Sequence, residues 1–214
     1  IESYYQDSSA LDIKGLNKKA IQLITEIFNS ASVSPLPKER HLFASGITPH
    51  GPVNYLDTIF GYLDKKYIIT GEAGTGKSTI LEKIYRIAIY LGYDVEVYHC
   101  AFIPNKIEHM LIPQLGVGII TSIDVHHYEG NKTKDIVINT SDYVNFDSLK
   151  KLKGDIQEAK ERYNAAFNLG VSYIARAKSA RDELESYYVP NMDFDKVKAC
   201  YKEILERILN YAYA

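Results

Sequence analysis

The chain has 214 residues, 46% of them hydrophobic and 24% charged, and a net charge of −2. That is enough chain for one sizeable core plus a helical appendage, and it lacks the basic stripe that nucleic-acid phosphates require. Cys100 and Cys200 have no metal-like spacing, and the longest apolar stretch, 110–123, is interrupted by Pro113 and Gln114. The reading is therefore a cytoplasmic protein with reduced thiols, no membrane span and no nucleic-acid partner. It starts at Ile1 rather than methionine, which suggests a piece of a longer protein.

Residues 11–29 place Leu16, Ala20, Leu23, Ile24 and Ile27 at helical spacing. A proline-containing linker follows at 30–40, then a short apolar run at 41–47 that reads as a strand. Residues 48–65 read as a helix with Pro52 in its first turn. Residues 66–70 form a buried strand. A helix over 77–92 runs through Ile80, Leu81, Ile84, Ile87, Ala88 and Leu91 and stops at Gly92. Strands are expected at 94–100, 116–124 and 135–142, with a short helix or turn near 105–111. Strands alternating with helices predict a three-layer α/β P-loop NTPase fold with a mainly parallel sheet.

From Leu149 onward, apolar and small residues recur by threes and fours as far as Tyr187. A second seam runs through Phe194, Val197, Tyr201, Ile204, Ile208 and Tyr211. Together they predict a C-terminal helical hairpin, with a break expected near Gly170. The domain reading is a helical N-terminal extension and linker over 1–37, a nucleotide-binding core over 38–146, and the hairpin over 147–214.

The chemistry concentrates in "GEAGTGKS", residues 71–78, a full match to G-x-x-x-x-G-K-[ST]. Gly71, Gly74 and Gly76 let backbone amides of Glu72, Ala73, Thr75 and their neighbours curl around a phosphate without Cβ clashes. The helix that follows aims the amides of Lys77, Ser78 and Thr79 at the same anion. Lys77 can reach the β- and γ-phosphates, and the Ser78 hydroxyl is placed for Mg2+. Asp124, at the end of an apolar run, is the first choice for the carboxylate that completes the metal site, with Asp142 second. Arg40, Arg176 and Arg181 are alternatives between arginine fingers and solvated surface charges. His99, His126 and His127 end adjacent predicted strands, where an open α/β sheet has its ligand crevice. Their readings are substrate contact, proton transfer, metal ligation or ordinary loop histidines. "NKTKD" at 131–135 misses the spacing of a guanine-specificity motif, so adenine, and hence ATP, is the default.

Over roughly residues 38–130 the chain resembles a poorly characterised bacterial family of P-loop ATPases with two tandem P-loop halves. The stretches that carry this are the glycine loop, "YHC" (98–100), "IEHMLIPQLGVGI" (107–119) and the His-Tyr at 127–128. The resemblance implies that the chain is one half of a longer protein, the C-terminal one, with residues 1–37 as the tail of the part before it. It also implies that Thr121 stands where one type of half carries an acidic residue, which puts a Mg2+-binding carboxylate in question.

Three functions follow. The first is ATP hydrolysis or phosphoryl transfer, with the hairpin as a lid if the acceptor is a small molecule. The second is a nucleotide-binding regulatory module with little turnover. The third is an assembly surface on the hairpin that joins a second copy.

Overall fold

The computed structural model describes residues 2–7, 9–29, 34–131 and 133–212, so linker positions 30–33 and Lys132 of the 131–135 motif lie outside it. The strands are β1 (Glu39–Phe43), β2 (Ser45–Thr48), β3 (Gly51–Asn54), β4 (Lys65–Thr70), β5 (Val95–His99), β6 (Ile107–Ile112), β7 (Val117–Thr121) and β8 (Ile136–Asn139). The helices are α1 (Glu2–Asp7), α2 (Ile13–Ile27), α3 (Leu56–Phe60), α4 (Lys77–Tyr90), α5 (Lys153–Tyr188) and α6 (Phe194–Ala212).

Six strands form one sheet in the order β1-β5-β6-β7-β4-β8, and β2 and β3 form a separate hairpin. Strands β1, β5, β7, β4 and β8 share one direction, while β6 runs antiparallel to both neighbours. The molecule is thus an α/β fold with a mostly parallel six-stranded sheet and a C-terminal helical hairpin.

The reversed strand β6 replaces the helix or turn expected at 105–111. Its physical reason is connection length. The links 100–106 and 113–116 are too short for a crossover, which takes a dozen residues or more, so the chain can only double back. Both faces of β6 are covered. Met110 and Ile112 pack into the larger core with α2 and α4, and Leu111 packs with Phe60, Leu63 and Tyr98 on the other face.

The helix expected over 48–65 is also corrected. Pro52 pairs with Ile47 in the β2–β3 hairpin, and helix begins only at Leu56. A two-stranded ribbon is all edge, and there a proline costs no ladder bond that a central strand would need.

Helix α2 buries Leu16, Ala20, Leu23 and Ile27 in the main core beside Ile80, Ile84 and Ala88 of α4. Its first turn is held by Asp12, whose carboxylate accepts the Gly15 N–H at 2.9 Å.

Helix α5 continues without a break through Gly170 for 36 residues, about 54 Å at ~1.5 Å per residue. Its contacts run across the edge where the parallel strands end. Ile156 packs with Tyr5, Ala10 and Leu149. Lys160 meets the loop after β4. Tyr163 and Phe167 meet the Phe102 ring in the β5–β6 link. Ile174 and Arg181 line a shallow groove with Pro49 of the β2–β3 turn. Helix α6 buries none of its side chains, and Tyr201, Ile204 and Ile208 of its apolar seam are exposed. Among the described residues no helix is long and apolar enough to cross a membrane.

Candidate functional site

The glycine loop joins the end of β4 to the start of α4. Its backbone enters the left-handed region three times, with φ of +131° at Gly71, +86° at Gly74 and +92° at Gly76. Packing adds a second constraint. A Cβ at Gly71 would lie 2.3 Å from Thr140 Oγ1, and one at Gly76 would lie 2.7 Å from Leu16 Cδ1.

Thr75 and Thr140, both fully buried, hold the loop in place. Thr75 Oγ1 lies 2.8 Å from Glu72 O, Thr140 Oγ1 lies 2.8 Å from Thr70 O, and the two hydroxyls are 2.6 Å apart. Two hydroxyl protons fill two of these three contacts at a time, and the pair links β4, the loop and the turn after β8. Sequence reasoning missed Thr140, because the link is made across strand β8 and leaves no local spacing signal.

Lys77 Nζ donates to Gly71 O at 2.7 Å and to Glu72 O at 2.6 Å, which holds the amine over the loop. Ser78 is half-buried in the first turn of α4, while Ala73 and Thr79 are exposed. Glu72 pairs with Lys160 of α5 at 2.6 Å. The hydrogen bond to Glu72 raises the Lys160 pKa most, burial opposes it, and the charges of Glu72, Tyr5 and Asp124 add to the rise. Asp124 therefore lies within electrostatic reach of the same amine. It is exposed on the turn between Ile123 and His126. Strand β7 ends beside the loop, since Thr121 pairs with Ile69 and the Ser122 N–H donates to Ile69 O at 2.9 Å. Asp142 accepts from Asn139 Nδ2 at 3.0 Å on the turn after β8.

The arginines are engaged elsewhere. Arg40 pairs with Glu96 at 2.6 Å, Arg181 pairs with Glu185 at 2.8 Å, and Arg176 lies over the Tyr173 ring.

The histidines separate. His99 Nε2 lies 2.8 Å from His41 Nδ1 at the β1–β5 edge. His127 is exposed, its Nδ1 3.5 Å from Ser122 Oγ. His126 is buried and joins two residues that sequence reasoning did not single out, Glu108 and His109 at the start of β6. His126 Nε2 is 3.3 Å from Glu108 Oε2, and the His109 and His126 rings stand edge to face with centroids 5.0 Å apart.

Burial, then the neighbouring His126 charge, lowers the His109 pKa to about 3, so its ring is neutral at physiological pH. Burial is the largest single influence on Glu108 and pushes it up. The adjacent His126 and Cys100 side chains, with the His126 and His109 charges, outweigh it and hold the carboxyl below its usual range. Burial, followed by the hydrogen bond to Glu108, pushes the Cys100 thiol up. Tyr163 of α5 is raised by burial and by the nearby Cys100 and Glu108, which places the helix over this cluster. The sequence signals that pointed here were the histidine run that holds His126 and the stretches 98–100 and 107–119, which carry the family resemblance.

No family model matches the chain, and no solved structure matches it. A search of curated proteins finds similarity to a probable cobalamin biosynthesis protein CobD of Pyrococcus abyssi (strain GE5 / Orsay), 32% identical over 95 residues. The match takes in 43% of this chain and 33% of that protein, so the chain corresponds to about a third of the relative's length.

Proposed function

We propose that residues 71–79 bind a nucleoside triphosphate with Mg2+, by default ATP, and that the chain hydrolyses it or transfers its terminal phosphoryl group. The observation that carries this reading is the glycine loop itself. Three glycines with positive φ lead from a buried strand into the N-terminus of the 14-residue helix α4. Amides that converge at a helix start, with a lysine amine held over them, suit a polyphosphate. In this reading the amides cradle the β-phosphate. Lys77 and the Mg2+ held by Ser78 offset charge on the transferred group, and Asp124 completes the metal site.

The position of α5 favours phosphoryl transfer to a small acceptor over free hydrolysis, because a helix laid across the strand ends restricts water in the crevice. Rapid steady turnover without any acceptor would count against that version.

The test is single-turnover phosphate release from Mg·ATP by the chain and by its Lys77→Ala and Asp124→Ala variants. Release by the wild type that Lys77→Ala abolishes supports the reading. Severe impairment of Asp124→Ala supports the metal assignment. Tight ATP binding with no release points to an acceptor-dependent transferase or a regulatory module, which phosphoryl transfer to added small-molecule acceptors separates, and absence of binding sinks the proposal.

A further inference from the structure

The buried cluster beside the glycine loop asks for an explanation of its own. Glu108, His109 and His126 are 9%, 0% and 3% exposed, and each offers a ligand atom within 4.8 Å of the others'. His109 Nε2 and both nitrogens of His126 lack a hydrogen-bond partner. Each such buried group costs about 1–3 kcal/mol if left bare, and native interiors hold few of them. One nitrogen from each ring can face a common point beside the Glu108 carboxylate, which indicates that something fills it.

We propose that Glu108, His109 and His126 bind one divalent transition-metal ion of the zinc class. Geometry supports this. The His126 Nε2 to Glu108 Oε2 separation of 3.3 Å is poorly aligned for a hydrogen bond. It does match the edge of a tetrahedron whose metal–ligand bonds are about 2.0 Å. Two imidazoles and one carboxylate, with the fourth position open, suit a tetrahedral zinc-type ion. Mg2+ and Ca2+ prefer all-oxygen shells.

The fold explains why these residues meet. Reversal of β6 brings the start of that strand to the edge where β5 and β7 end. The Cys100 N–H donates to Lys106 O at 2.9 Å, which closes the β5–β6 link. The Ile123–His126 bridge turns the chain back after β7 and carries His126 inward.

One contact must change on loading. The Thr121 N–H donates to His109 Nδ1 at 3.3 Å, so the metal-free ring carries its proton on Nε2. Ligation at Nε2 moves that proton to Nδ1 and breaks the Thr121 contact.

The test is titration of the chelator-stripped chain with Co2+, then Zn2+. The expected result is one ion per chain and tetrahedral cobalt bands that His126→Ala abolishes. Glu108→Gln and His126→Ala should each weaken Zn2+ binding by at least about tenfold, since loss of even an outer-shell partner costs about 10–100-fold. Lys77→Ala and His127→Ala should leave binding unchanged, which separates this site from the nucleotide reading. The Thr121 amide resonance should shift in the wild type, a readout that requires no variant to fold. Absence of stoichiometric binding, a six-coordinate cobalt spectrum, or an unmoved Thr121 resonance would overturn the proposal.

Discussion

Replacing Gly71 with alanine tests the glycine loop with one methyl group. The native φ of +131° is a conformation that L side chains rarely adopt, and the new Cβ would meet Thr140 Oγ1 at 2.3 Å and Thr75 Oγ1 at 2.9 Å. The backbone contribution is about 1–3 kcal/mol. Displacing the two buried hydroxyls from their hydrogen bonds adds about 1 kcal/mol for each bond lost. A loss near 3 kcal/mol is expected, which lowers the urea midpoint by about 1 M if m is about 3 kcal/mol/M. ATP affinity should fall with it. Thr140→Ala removes the atom nearest the new Cβ, so the double variant should be less destabilised than the sum of the singles by about 1 kcal/mol. If Gly71→Ala lies within about 0.5 kcal/mol of the wild type, the loop is not held as described.

Lys66 and Asp135 form a buried ion pair at 3.4 Å, with side-chain exposures of 6% and 0%. Lys66→Met should cost about 3–5 kcal/mol in chemical denaturation, and adding Asp135→Asn should restore part of it. Leu23 of α2 is 1% exposed in the main core, so Leu23→Ala should cost about 2–5 kcal/mol; a surface-like value would mean α2 is a detachable extension. His109 is held neutral, with a pKa of about 3 when folded. The unfolded chain takes up a proton there below about pH 6.5 that the folded chain refuses. Stability from this group is therefore complete above that pH and declines as pH falls toward 3, by up to about 1.4 kcal/mol per unit. Urea midpoints of the metal-free protein and of His109→Gln should diverge between about pH 6.5 and 5, where most carboxylates have yet to titrate.

The parts of the fold that could be read in advance carry their information locally. Strands β4, β5, β7 and β8 appear as short apolar runs. Helix α4 announces itself through Ile80, Leu81, Ile84 and Ala88, and the loop before it through glycine spacing. Strand β6 was hidden because "IEHMLI" is buried on both faces, so it shows no alternation that would separate it from a helical turn. Its clue lay in the short links on either side. Pro52 looked like a helix start because its other habitat, a hairpin edge, leaves no distinct local mark. The candidate metal cluster was only one-third visible. His126 stood in an obvious histidine run, but Glu108 and His109 acquire meaning only once β6 is reversed. Thr140 is the same kind of case, since its partners Thr70 and Thr75 lie some seventy and sixty-five positions away.

The path of α5 has a consequence for traffic. The helix packs on Tyr5, Ala10 and Leu149 through Ile156, reaches the glycine loop at Lys160, leans on Phe102 through Tyr163 and Phe167, and meets the Pro49 turn near Ile174. It lies across the opening like a bar over a doorway. In the proposed reading the nucleotide and the metal ion would share one gate, and the breathing of a single helix would limit how fast either exchanges.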